Sequence, residues 1–156
     1  MISIIDYKVG NIRSVMNAIS SFGVDVVLSC DHEEIISSDA IVLPGVGSYK
    51  HGMSNLIDKE LDKTIYSFAD TGKPVMGICL GMQLMMESSE EFGYTKGLGI
   101  FEGSVEKIPT NLGFAVPHIG WENVIFSHSN QDADFFFCHS YVAHPQDKSS
   151  IYARAN

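Results

Sequence analysis

Cys79 stands where a cysteine can do chemistry. It is the centre of Gly77-Ile78-Cys79-Leu80-Gly81, between a β-rich run (Pro74 to Ile78) and a helical pattern starting at Leu80. This Gly-x-Cys-x-Gly spacing parallels the Gly-x-Ser-x-Gly nucleophile elbow, in which a sharp strand-to-helix turn strains the nucleophile and projects it into a site. The residues two before and two after the nucleophile approach other backbone closely, which glycine permits. The thiol would stand at a helix N-terminus, where the dipole favours negative charge. The backbone N–H of Leu80 would point into the same space and could stabilise an oxyanion. The competing reading is an inert core cysteine; the two glycines and the strand–helix setting favour the nucleophile. Cys30 and Cys138 lack such a setting and read as structural.

A second glycine-rich turn, Leu43-Pro44-Gly45-Val46-Gly47-Ser48, also leaves a strand and enters a helix. It could cradle a phosphate at a helix N-terminus, or present a backbone donor to Cys79 across neighbouring strand ends. It lacks the Gly-Lys-Ser/Thr ending of a nucleotide-binding loop, and the first strand lacks Gly-x-Gly-x-x-Gly.

These turns need elements to hold them. Ile2 to Ile5 reads as a buried strand. Asn11 caps a helix whose Ile12, Val15, Met16, Ile19 and Phe22 share one face, stopped by Gly23. Val24 to Leu28 is a second strand, Asp31 caps a short helix through Ile36, and Ala40 to Leu43 is a third strand. One helical stretch carries Leu56, Leu61, Ile65 and Phe68 and closes at Gly72. Pro74 to Ile78 is the fourth strand, and a helix runs from Leu80 to about Ser88. Alternating strands and helices predict a three-layer α/β/α fold, flavodoxin- or Rossmann-like, with a mainly parallel sheet whose strands are buried on both faces. Ligands then bind beyond the carboxyl ends of the strands. Later segments, Phe101 to Ile108, Asn123 to Phe126 and Phe135 to Cys138, read as antiparallel or mixed strands completing that sheet. The run Phe135-Phe136-Phe137 reads as a buried strand.

Composition narrows the function classes. With 45% hydrophobic residues, the chain fits a single domain, residues 1–156. Ten Lys+Arg against nineteen Asp+Glu give a net charge of −9, which argues against a nucleic-acid or anionic-membrane surface. There is no apolar run of spanning length and no basic n-region at the N-terminus. An odd number of cysteines, three, with no Cys-x-x-Cys, argues against a disulfide framework and a zinc site. No metal or cofactor is expected, and a cytoplasmic location is.

Gly77-Ile78-Cys79-Leu80-Gly81-Met82-Gln83 resembles the nucleophile motif of the triad-type (class I) glutamine amidotransferases. Further segments are similar to one subfamily, the glutaminase subunits that serve imidazole glycerol phosphate synthases in histidine biosynthesis. These are Asp6-Tyr7 with Gly10-Asn11-Ile12-Arg13-Ser14-Val15, Leu43-Pro44-Gly45-Val46-Gly47 with Gly52-Met53, Pro117-His118-Ile119-Gly120-Trp121, and Phe137-Cys138-His139-Ser140-Tyr141. The resemblance implies that Cys79 attacks the side-chain amide of glutamine, forms a thioester and releases ammonia. It implies that Gly47 and Leu80 supply oxyanion N–H groups, and that Gln83, His139, Ser140 and Tyr141 hold the glutamine. It places Pro117, His118, Gly120 and Trp121 toward a (β/α)8 synthase/cyclase subunit, the partner in a heterodimer.

The family's triad histidine and glutamate lie in a His-Pro-Glu motif that this sequence does not contain. His144-Pro145-Gln146 follows His139-Ser140-Tyr141 too soon, and Gln146 has no charge with which to orient a histidine. His32 reads as solvated, His51 as exposed, and His128 as part of a polar loop. The expectation is a chain truncated before its last strands and inactive in this form. After Trp121 the subfamily has Asn, whereas here Glu122 precedes Asn123. Two other readings stand beside the leading one: an ammonia-supplying subunit for amidination of a surface-polysaccharide sugar, and a catalytically dead docking subunit.

Overall fold

The computed structural model describes residues 1–110, 115–127, 129 and 132–155. Its first half is a parallel sheet of four short strands, β1 (Ile2–Ile5), β2 (Val26–Ser29), β3 (Ala40–Leu43) and β4 (Val75–Gly77), in the order β2-β1-β3-β4. The helices are α1 (Ile12–Ser20), α2 (His32–Ser37), α3 (Tyr49–Asp58), α4 (Leu61–Ala69) and α5 (Leu80–Leu84). One sheet face packs Ile5, Ile41 and Leu43 against Ile35, Tyr49, Met53, Leu56, Leu61, Ile65 and Phe68, all buried.

The opposite face is only half covered. Leu28, Ile4, Val42 and Met76 form one row across the strands. Ile4 and Val42 are buried, but Leu28 is 38% exposed and Met76 57%. Helix α1 buries no residue of its own. The expectation of strands buried on both faces therefore holds at the centre of the sheet and fails at its edges.

Local chemistry explains the element ends. Asp31 accepts a hydrogen bond from the Glu34 N–H at 2.9 Å and caps α2 as expected. Asn11 precedes α1 but makes no side-chain capping bond. The helix expected through Leu56 and Phe68 is two helices, because Glu60 adopts a left-handed conformation at φ +57°. Leu56 and Leu61 are five residues apart, about 140° around a continuous helix. The break at Glu60 resets the phase, so both leucines reach the core.

Helix α5 is shorter than expected. The N–H groups of Leu98, Phe101 and Gly99 donate to the carbonyls of Leu84, Met85 and Met86, taking over carbonyls at and just past its end. The chain then enters β5 (Met86–Ser89) rather than continuing as helix to Ser88.

The second half does not complete the first sheet. It forms a mixed sheet, ordered β10-β7-β5-β6, from β5, β6 (Thr95–Lys96), β7 (Phe101–Lys107) and β10 (Tyr141–Pro145). A separate antiparallel sheet, ordered β11-β8-β9, contains β8 (His118–Phe126), β9 (Asp132–His139) and β11 (Ala153–Ala155). Phe135 and Phe136, on opposite faces of β9, lie in a strand as expected but are not buried, at 47% and 56% exposure. Among the described residues, no helix is long and apolar enough to cross a membrane.

Candidate active site

The elbow is built as its spacing demands. Cys79 has φ +53° and ψ −115°, a conformation L-residues rarely adopt. Holding it there costs on the order of 1–3 kcal/mol, which surrounding packing must impose. The glycines show how. A Cβ on Gly81 would lie 1.7 Å from the Leu43 carbonyl oxygen, and one on Gly77 would lie 2.4 Å from the Cα of Met82. Strand β4, the turn and α5 therefore interlock through missing side chains. The Ile78 N–H donates to the Leu43 carbonyl at 3.0 Å, tying the turn to β3. Cys79 is exposed, and its carbonyl accepts from the Gln83 N–H at 3.1 Å.

The second glycine turn meets the first. A Cβ on Gly45 would lie 2.9 Å from the Gly81 nitrogen and 2.9 Å from the Leu80 Cβ. The hydroxyl of buried Tyr7 donates to the Pro44 carbonyl, and Asn55 Nδ2 donates to the Tyr7 carbonyl at 3.0 Å. Burial, and then the proximity of Cys79, push the Tyr7 phenol well above its ordinary range. Of the two readings of this turn, the contact supports the one that sets its backbone beside the elbow. Gly47 has φ +107° with open space where a Cβ would be. Among the described residues, the N–H groups of Gly47 and Leu80 have no hydrogen-bond partner.

The segments after the elbow are connected. Gln83 Nε2 donates to the Tyr141 carbonyl at 3.0 Å, and the same carbonyl faces His139 Nδ1 at 2.9 Å. The Ser140 carbonyl accepts from the Ile108 N–H at 2.9 Å. Gln83, His139, Ser140 and Tyr141 thus belong to one region in which β10 meets α5. The Pro117–Trp121 segment divides between two faces. Ile119 and Trp121 point outward at 60% and 70% exposure. His118 turns inward with Pro117 and Glu122 to line a cavity of about 840 Å³, shared with Met82, Phe137 and Arg154.

The remaining cysteines and histidines are placed differently. Cys30 and Cys138 are exposed free thiols, not buried structural ones, so backbone rather than exposure distinguishes Cys79. His32 is not merely solvated, since its Nδ1 lies 3.1 Å from the Thr64 hydroxyl and ties α2 to α4. His51 is exposed as expected. His144 is exposed on β10 opposite Ser104. His128 lies outside the described residues. Among the described residues no histidine bonds the Cys79 thiol, and no cluster of His, Cys, Asp and Glu could hold a metal ion.

Sequence reasoning missed two supports. Glu91 accepts the Tyr49 N–H at 2.6 Å and so caps α3 from 42 residues away. The Tyr7–Pro44 bond likewise joins residues 37 apart. No local pattern announces either contact.

A parallel sheet with a cysteine at a strained strand-to-helix turn defines the class of α/β proteins organised around a nucleophile elbow. The chain belongs to the class-I glutamine amidotransferase family, whose model matches residues 3–156. A Listeria innocua relative, imidazole glycerol phosphate synthase subunit HisH, is 43% identical over 149 residues, 92% of this chain and 72% of the relative. The subunit of the same name from Lacticaseibacillus casei is 44% identical over the same shares. A crystal structure of a glutamine amidotransferase has the same fold, with TM-score 0.80 and 15% identity over 98% of this chain and 79% of that one. So has PurLQS from Thermotoga maritima, with TM-score 0.73 and 18% identity over 99% and 73%.

Proposed function

We propose that this chain is the glutaminase subunit of an imidazole glycerol phosphate synthase, hydrolysing glutamine at Cys79 and passing ammonia to a (β/α)8 synthase/cyclase subunit. The observation that carries the chemistry is Cys79 at φ +53°, held between glycines whose Cβ positions are already filled. The names of the relatives at 43–44% identity support the choice of pathway.

The proposed steps are as follows. The sulfur of Cys79 attacks the side-chain carbonyl carbon of glutamine, and the carbonyl oxygen becomes an oxyanion. The N–H groups of Leu80 and Gly47 stabilise that charge; removing one such donor typically costs about 100- to 1,000-fold in rate. The C–N bond then breaks. The departing nitrogen takes up a proton and leaves as ammonia, and a glutamyl thioester remains on Cys79. Water cleaves the thioester, giving glutamate and restoring the thiol. Gln83 and the His139–Tyr141 segment form the wall on which glutamine rests.

Proton transfer to the leaving ammonia needs a general acid, and none of the described histidines is bonded to Cys79. The 156-residue polypeptide on its own is therefore expected to bind glutamine but to form the thioester slowly, without sustained turnover. Glutamine turnover by that polypeptide, abolished in Cys79→Ala, would contradict this. The partner is proposed to dock on the outward side of β8 and β9, where Trp121 and Phe136 stack edge-to-face with centroids 5.7 Å apart. Reconstitution with the cyclase subunit tests the pathway: nitrogen from amide-labelled glutamine should appear in imidazole glycerol phosphate.

A further inference from the structure

The turn that carries Gly47 is tied at its two ends and open in its middle. Val46 is 56% exposed, and nothing lies within 4 Å of a Cβ position on Gly47. Neither residue has packing of its own to set the direction of the Gly47 N–H. At the far end the Tyr49 N–H donates to Glu91 at 2.6 Å. At the near end the tie is Tyr7. Its hydroxyl donates to the carbonyl of buried Pro44, and a Cβ on Gly45 would lie 2.5 Å from the same hydroxyl oxygen. That Cβ position is also 2.9 Å from the Leu80 Cβ and from the Gly81 nitrogen. The Tyr7 hydroxyl, Gly45 and the start of α5 therefore meet at one point.

Tyr7 is placed to hold backbone rather than to react. It is fully buried just past β1, in a turn where Asp6 Oδ1 accepts from the Lys8 N–H at 3.1 Å and Lys8 has φ +65°. Its own carbonyl accepts from Asn55 Nδ2 at 3.0 Å, and Asn55 belongs to α3, the helix into which the glycine turn leads. One residue thus grips both the entry of the turn and the helix at its exit. A phenol carries one hydrogen. Here it goes to Pro44, so Tyr7 does not serve Cys79 as a proton donor. Burial, and then the proximity of Cys79, push the phenol up, so this hydrogen stays in place through the neutral range. Without the hydroxyl the buried Pro44 carbonyl would lose its partner, which is costly. The peptide would turn to find another, and nothing at Val46 or Gly47 would resist.

We propose that Tyr7, tied to α3 by Asn55, is a positioning residue: its hydroxyl fixes the Pro44–Gly45 peptide and thereby aims the Gly47 N–H at the oxyanion formed on Cys79. This rests on the glutaminase reading, which gives that N–H its oxyanion.

The test uses a glutamine analogue with an aldehyde in place of the side-chain amide. The Cys79 sulfur bonds to the aldehyde carbon, the thiol proton ends on the oxygen, and no group leaves, so no acid for departing ammonia is needed. The new oxygen stands where the oxyanion would and accepts from the same N–H groups. Iodoacetamide, followed at Cys79 by mass, alkylates the sulfur with loss of iodide and forms no such oxygen. Protection by glutamine against that alkylation reads ground-state binding. In Tyr7→Phe, which keeps the ring, the aldehyde should bind at least about tenfold more weakly, while alkylation and glutamine protection stay within about twofold of the unsubstituted protein. Unchanged aldehyde affinity, or equal losses in all three measurements, would overturn the proposal. Asn55→Ala frees the Tyr7 backbone with the phenol present and should show the same selective loss, smaller in size. It decides the matter if Tyr7→Phe folds poorly, since unchanged aldehyde affinity there would overturn the proposal as well. An unsubstituted protein that takes up no aldehyde would overturn the glutaminase reading and this role together. Full aldehyde affinity in Tyr7→Phe would overturn this role alone.

Discussion

At the scale of single residues, chemistry concentrates where side chains are missing. Gly77 and Gly81 let β4, α5 and β3 close on one another, and that closure forces Cys79 into its strained conformation. Gly81→Ala would drive a methyl group into the Leu43 carbonyl. Its stability in urea should fall by about 3 kcal/mol or more. Gly120→Ala is the control, since nothing lies within 4 Å of its Cβ position; it should stay within about 0.5 kcal/mol. Tyr7 gives a pH dependence. Burial and the nearby Cys79 hold its phenol protonated to higher pH than in the unfolded chain, where tyrosine ionises near about 10. Above that pH the folded state binds more protons than the unfolded state, so stability falls as pH rises. The urea midpoint should fall progressively as pH rises above about 10, and the fall should be smaller in Tyr7→Phe. The elbow was legible in the sequence because its requirements are local: two glycines flanking a cysteine, between a strand and a helix. Tyr7, Glu91 and the His118–His139 pair were not read as contacts, because their partners lie 21 to 42 residues away.

At the scale of elements, period and punctuation located most of the first half. β1 and β3 run as the apolar residues indicate, Asp31 caps α2, and Gly23 ends the turn after α1 with φ +75°. Asp31→Ala should cost about 1 kcal/mol, measured by thermal or urea unfolding. The failures share a cause. A run of helical residues does not reveal a single left-handed residue such as Glu60, nor a distant loop that takes the last carbonyls of α5. After Gly93, β7 and parts of β8 and β9 were visible as strands, whereas β6, β10 and β11 were not, and sheet membership was not, since it depends on pairing between segments far apart. The phenylalanines of β9 show the same limit. An apolar run reads as buried, and only the packed structure shows that Phe135 and Phe136 are left exposed on opposite faces.

At the scale of the whole molecule, an acidic α/β chain presents Cys79 at the carboxyl end of β4 and the exposed Ile119, Trp121 and Phe136 at β8 and β9. The proposed function assigns glutamine to the first and a (β/α)8 subunit to the second. Trp121 is the chain's only tryptophan and is 70% exposed, so it reports on docking directly. Its fluorescence should shift to the blue when the cyclase subunit binds, because docking removes water from the indole. An unchanged spectrum in a complex demonstrated by another method would place the interface elsewhere. The measurement that tests the central claim most directly is covalent labelling of the protein by a glutamine-analogue electrophile, followed by mass mapping of its three cysteines. The account predicts one adduct, on Cys79, slowed by free glutamine and absent in Cys79→Ala. Equal labelling of Cys30, Cys79 and Cys138, unaffected by glutamine, would contradict it.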